Sequence, residues 1–216
     1  MDVVIIGAGG HGKVVLDILR ASGAHRPVAF LDADPALAGS TLCGLAVLGP
    51  IHHLSKLRQQ SKVRGAIVAI GDNRPRRTYA QHVLDDGLEL VNAIHPAASV
   101  STSALLGRNI VIAAGAIVCA EARIGDSVIL NTGCIVDHEC EIEESAHICP
   151  AAALAGRVRV EAGAFVGLGA RVIPCMTIGR HATIGAGAVV IRDIPAHATA
   201  VGVPAKVIKL NPALAA

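Results

Sequence analysis

From Ile94 to Val190 every sixth residue is Ile, Leu or Val, with no gap and no insertion that shifts the phase. A period of six belongs neither to an α-helix nor to a single strand. It marks a hexapeptide β-helix, in which short strands coil around an interior filled by one aliphatic side chain per face. The fourth residue after each aliphatic one is usually small, as at Ala116, Ala122, Cys134, Cys140, Ala146 and Ala152. A large residue followed by a small one on each face fills a narrow interior without voids. Glycine directly follows the aliphatic residue at Gly107, Gly125, Gly167, Gly179 and Gly185. Those positions are expected to be tight corners that need glycine's conformational freedom. With three hexapeptides per turn, the array makes between five and six turns and a prism roughly 25 Å long.

Residues 1–93 have a different rhythm. Val3-Val4-Ile5-Ile6 reads as a buried strand, followed by a Gly-rich turn, and the spacing from Lys13 to Ser22 predicts a helix closed by Gly23. Further strands are expected at Val28–Leu31, Ala66–Ile70 and Leu90–Ile94. Asp72 or Asn73 would cap a helix with Pro75 in its first turn and Gly87 past its end. Strands alternating with helices predict a small Rossmann-like parallel α/β domain over 1–93, and the β-helix with its C-terminal tail fills 94–216. The tail after Val190 reads as turns and an extended segment able to cap the coil.

Composition excludes several classes. Formal net charge is +2 and aromatic residues are 1% of the chain, so neither nucleic acid nor base stacking is indicated. Hydrophobic residues reach 52%, yet no uncharged apolar run approaches the roughly 20 residues of a spanning helix. No membrane insertion and no signal peptide are expected. The six cysteines form no CxxC pair, so no metal site or disulfide is expected, and the chain reads as cytoplasmic.

Two stretches carry chemistry. Gly7-x-Gly9-x-x-Gly12 follows a strand and opens a helix, where free N–H groups and the helix dipole suit a pyrophosphate. Asp32 stands 20 residues beyond Gly12, which by pattern is the NAD-type fingerprint. The second mononucleotide half is missing and a coil follows, so another nucleotide diphosphate fits better. His11 could bond a phosphate or sugar, or cap backbone locally. In the coil, His138 lies two residues after the inward Val136 and so projects outward, flanked by Asp137 and Glu139. Either carboxylate could orient the ring and fix its tautomer. Eighteen residues on, the stacked position is Gly156, which leaves His138 uncovered. His147 follows at nine residues, half a turn around.

The chain resembles the sugar O-/N-acyltransferases of the sialic acid O-acetyltransferase type. Within them it is most similar to N-acetyltransferases of nucleotide-linked 4-amino-4,6-dideoxy sugars. The matching stretches include Gly7–Gly12, Leu31–Asp34, Ala69–Asn73, Asn92–Pro96, Asn131–Cys140 and Gly202–Lys206. The resemblance implies a left-handed parallel β-helix, a homotrimer, and acetyl-CoA as co-substrate. It implies His138 as catalytic base, Glu139 as its modulating acid and Asn131 lining the same site. His147, Leu168, Ala186 and Lys206 correspond to positions for acetyl-CoA. Gly9, Gly10, His11, Gly12, Asp32, Ala33 and Gly71 correspond to positions for the nucleotide-linked amino sugar. The surroundings of Asp32 and Gly71 resemble the GDP-perosamine enzymes more than those acting on UDP-linked bacillosamine precursors. O-acetylation of sialic acid or another sugar is the alternative within the family. Outside it stand an NAD-binding regulatory module and a non-catalytic trimeric scaffold.

Overall fold

The computed structural model describes residues 1–60 and 62–210. They divide into two compact units, Met1–Pro96 and the coil from Ala97 onward.

In the first unit, strand β1 (Asp2–Ile6) lies between β2 (Arg26–Leu31) and the strand Val63–Val68, which pairs in turn with Glu89–Leu90. All pairings are parallel. β1 is buried almost end to end, as a strand covered on both faces must be. Helix α1 (Gly10–Ser22) packs on β1 and β2 through its buried face, Val15, Leu16, Ile18 and Leu19. Gly23 ends it at φ 64° and donates its N–H to the Leu19 carbonyl. A second core joins Val4, Ile6, Leu31, Val68, Ala80 and Val83. The helix Asn73–Asp85 is capped by Asp72, whose side chain accepts the Arg74 N–H at 3.0 Å.

Several boundaries differ from the expected ones. α1 begins at Gly10, not Lys13, because the Gly-rich stretch carries no apolar spacing to reveal its first turn. The strand expected at Ala66–Ile70 runs Val63–Val68, which frees Ala69 to Gly71 to line a pocket. The stretch Leu90–Ile94 splits into Glu89–Leu90 and Ala93–Ile94. Two elements lacked a clear sequence signal: the helix Leu54–Gln60 and a hairpin, Thr41–Leu42 with Leu45–Ala46. Cys43 and Gly44 turn that hairpin, both at positive φ, as a two-residue turn of this hand requires.

The second unit is a left-handed parallel β-helix. Each strand has two residues and pairs in parallel with the strand 18 positions on, as in Ile117↔Ile135↔Ala153 and Ile129↔His147↔Phe165. The second residue of each strand is the predicted aliphatic one, and Val118, Leu130, Val136, Ile148 and Val160 are at most 1% exposed. Ala116, Ala122, Cys134, Cys140, Ala146 and Ala152 are fully enclosed beside them. Only the first turn is looser, with Val100 and Leu106 half-buried. The first residue of each strand points outward and makes three faces. One carries Val111, Ile129, His147, Phe165 and Thr183; the next Ile117, Ile135 and Ala153; the third Arg123, Glu141 and Arg159.

The corner glycines have a different purpose from the one predicted. Positive φ falls three residues after the aliphatic position, and there Asn109, Glu121, Ser127, Glu139, Ser145 and Arg157 adopt it without being glycine. Gly107, Gly125, Gly167, Gly179 and Gly185 have ordinary φ values and are needed for space. A β-carbon on Gly125 would stand 2.8 Å from the Glu144 nitrogen of the next turn. The tail forms a strand, Ala198–Val201, that pairs with Thr183–Ile184, and Lys206–Leu210 returns antiparallel along it.

Candidate functional site

The ends of the parallel strands in the first unit converge on one cavity of about 330 Å³. It opens where β1 runs into Gly7, β2 into Asp32, and Val63–Val68 into Ala69-Ile70-Gly71. Such a site, beyond the carboxyl ends of parallel strands, is where open α/β sheets bind ligands. Gly9, Gly10, His11, Asp32, Ala33 and Gly71 all line it. Gly12 does not. It is buried, and a β-carbon there would overlap the Gly7 carbonyl, so it is a packing residue. Gly9 and Gly10 have neither positive φ nor a crowded Cα. The space a side chain would fill at those two positions is open cavity.

No acidic residue stands in the first turn of α1, so its unbonded N–H groups face the cavity without a competing carboxylate. Asp32 is partly engaged by protein. Its Oδ2 accepts the Ala8 N–H at 2.6 Å and Oδ1 accepts the Asp34 N–H at 2.9 Å. The carboxylate thereby holds the Gly-rich loop, and its remaining lone pairs can still accept from a ligand. Three contributors escaped the sequence reading. Ile51 and Tyr79 line the cavity, and Arg76 lies fully buried behind it. Arg76 donates to the carbonyls of Ile70 (3.0 Å) and Gly71 (3.1 Å) and to Asn73 Oδ1 (2.7 Å). Burial lowers its pKa to about 10, which leaves it a cation at neutral pH. Burial, with the Arg76 charge added, pushes His11 down to about 4, so the ring is neutral. The lone tyrosine of the chain was the available signal for Tyr79; Arg76 had none, being one of three arginines in a short stretch.

In the coil, His138 stands at a corner with its side chain 52% exposed, projecting as predicted. Its Nδ1 is 3.0 Å from Glu139 Oε2, and the same oxygen accepts Arg157 Nε–H at 3.0 Å. Asp137 accepts the His138 backbone N–H instead, at 2.7 Å. Glu139 is the orienting carboxylate of the two, and hydrogen bonds from His138 and Arg157 hold its pKa below the usual range. The bond assigns the ring proton to Nδ1 and leaves Nε2 as the basic nitrogen.

Within one chain Asn131 occupies the preceding corner, where its Nδ2 is 3.2 Å from His147 Nε2. His147 is buried, edge-on to Phe165 with ring centroids 5.2 Å apart. Leu168 and Ala186 are exposed and stacked 18 residues apart at the same corner as Asn131, where the Gly187 N–H bonds the Leu168 carbonyl. Lys206 begins the exposed C-terminal strand. The coil residues therefore form two groups, His138 with Glu139 and Asn131 with His147, on nearly opposite sides of the prism.

His181 stands at another corner of the coil, with its backbone at φ 53°. Its ring fills the space over Gly163 and lies 5.4 Å from that of His197. Among the described residues no cluster of His, Cys, Asp or Glu could hold a metal ion, and no helix is long and apolar enough to cross a membrane.

The PglD N-terminal domain family matches residues 2–83. UDP-N-acetylbacillosamine N-acetyltransferase of Bacillus subtilis (strain 168) is 39% identical over 114 residues, 52% of this chain and 51% of that protein. The match thus spans about half the length of this curated relative. The crystal structure of PerB from Caulobacter crescentus, in complex with CoA and GDP-perosamine, superposes with a TM-score of 0.92 at 48% identity, covering 97% of this chain and 98% of that one. The acetyltransferase domain of PglB from Neisseria gonorrhoeae FA1090, in complex with acetyl coenzyme A, gives 0.87 at 38% identity, covering 96% and 98%.

Proposed function

We propose a reaction for this chain on one premise: it belongs to the hexapeptide-repeat sugar acyltransferases that include the perosamine N-acetyltransferase of Caulobacter crescentus. It is an acyltransferase of that family, and its reaction is transfer of acetyl from acetyl-CoA to the 4-amino group of a nucleotide-linked 4-amino-4,6-dideoxy sugar. GDP-perosamine is favoured over a UDP-linked bacillosamine precursor. The GDP-perosamine complex is 48% identical to this chain, and the bacillosamine enzyme 39% identical over the stretch that matches.

One observation carries the reading: an outward histidine whose Nδ1 is held by a carboxylate, leaving Nε2 as a base at the prism surface. The amine must be neutral to attack the thioester. As its nitrogen bonds to the acyl carbon, His138 Nε2 takes the N–H proton, the C–S bond breaks, and the proton passes to the departing thiolate. No acyl-enzyme is needed. The first unit holds the nucleotide. Gly9, Gly10 and the N-terminus of α1 receive the diphosphate, with the Arg76 cation behind them, while Asp32, Ala33 and Tyr79 surround the nucleoside.

Acetyl-CoA runs along the corner of Leu168 and Ala186, with His147 and Lys206 beside it. A homotrimer of parallel prisms brings Asn131 and His147 of one chain to His138 of the next, because opposite sides of a prism then face different clefts. The exposed stack of Ile117 and Ile135 on one face supports such packing.

The test is product analysis. The chain is incubated with acetyl-CoA and either GDP-perosamine or a UDP-linked 4-amino sugar, and the product is located by NMR. An amide at the sugar 4-position with the GDP substrate is expected. Acetyl on oxygen would favour the O-acetyltransferase alternative, and turnover of the UDP sugar alone would reverse the choice of base.

A further inference from the structure

Glu139 holds His138 through one oxygen, and that oxygen has a second donor. Arg157 Nε–H reaches Glu139 Oε2 at 3.0 Å, the distance at which the same atom meets His138 Nδ1. Arg157 lies one coil turn beyond Glu139, at the same corner. Its guanidinium spans two layers of the prism. The same bond that lowers the pKa of Glu139 raises that of Arg157, as expected of a mutual pair.

We propose that Arg157 is a positioning residue of the reaction, which fixes the Glu139 carboxylate in the rotamer that orients His138. This rests on His138 being the general base. A Glu side chain has three rotatable bonds, and a single hydrogen bond to a half-exposed imidazole restricts them poorly. A second, charge-assisted bond from the adjoining layer supplies the missing constraint. All three residues are about half exposed or more, so the ion pair as such adds little to stability. Its effect is on geometry. Neighbouring Gly156 fits the same arrangement, since a β-carbon there would stand 2.5 Å from His138 Cε1 and Nε2. One turn of the coil thus supplies both the space for the ring and the anchor for its carboxylate.

A double-mutant cycle on the full-length enzyme tests this. Arg157→Gln should lower kcat about tenfold while KM for each substrate stays within threefold. In a Glu139→Gln background the same change should cost less than twofold, because the carboxylate through which Arg157 acts is gone. Circular dichroism and melting temperature should match wild type in all variants. The proposal is overturned if Arg157→Gln leaves kcat within twofold of wild type, or if it costs as much with Glu139→Gln as without. A His138→Ala control separates the two readings. If that variant keeps near-normal kcat, the general-base assignment itself fails, whatever the cycle shows.

Discussion

The imidazole of His138 occupies the space in which a side chain at Gly156 would begin. A β-carbon on Gly156 would stand 2.5 Å from both Cε1 and Nε2 of the ring, and 3.1 Å from Cδ2. Gly156 does not need glycine for its backbone angles, since φ there is not positive. Its lack of a side chain serves the histidine. Gly156→Ala should therefore rotate the ring out of its bond with Glu139, lowering kcat at least tenfold with little change in melting temperature. Steady-state kinetics beside a thermal melt decide this, and unchanged kcat would show that the ring has another seat.

The open Cα atoms of Gly9 and Gly10 give a second expectation. Gly9→Val places bulk in the cavity and nowhere else, since nothing lies within 4 Å of the added β-carbon. Binding of the nucleotide sugar should be lost, while acetyl-CoA binding stays within threefold. Calorimetry with each ligand alone checks it, and equal loss of both with the fold intact would contradict the division of labour between the units.

His11 links the cavity to pH. Burial, and then the Arg76 charge, lower its pKa to about 4 in the folded chain from the 6.5 of an ordinary imidazole. The folded state resists protonating this ring, so its contribution is intact above pH 6.5. It declines as pH falls toward 4, by at most about 3 kcal/mol and less where water reaches the ring. Urea unfolding of His11→Gln should lose less stability between pH 7 and pH 5 than wild type does. Parallel losses would show that His11 does not report on folding.

His138 and His147 are nine residues apart, half of the 18-residue turn, and the Asn131–His147 bond lies within one chain. If a trimer joins His138 of one subunit to His147 of the next, inactive His138→Ala and His147→Ala chains should complement. Co-refolded mixtures should regain a measurable fraction of wild-type activity, while the separately refolded variants stay inactive. Verified mixed trimers with no activity above those controls would contradict the shared cleft.

Much of this molecule is legible in its sequence because the coil repeats its own constraints. One aliphatic side chain must fill each face of each layer, so a period of six appears wherever the coil runs, and the burial of Val118, Leu130, Val136 and Ile148 follows. The Gly-rich loop, Asp32 and the outward projection of His138 were likewise local facts, set by a few neighbouring residues. Other features join residues far apart in the chain, and no local pattern announces them. Arg76 anchors Ile70 and Gly71 from within a helix, Asp32 holds the Ala8 amide from 24 residues away, and Gly156 yields its space to a ring one turn back. The corner glycines show the same divide. The sequence places them, but only the stacked turns reveal that they are required by a backbone atom of the next layer and not by their own φ. Periodicity determined which side chains point inward. Tertiary structure alone decided which outward ones meet, because stacking and strand convergence bring together atoms that the chain itself keeps apart.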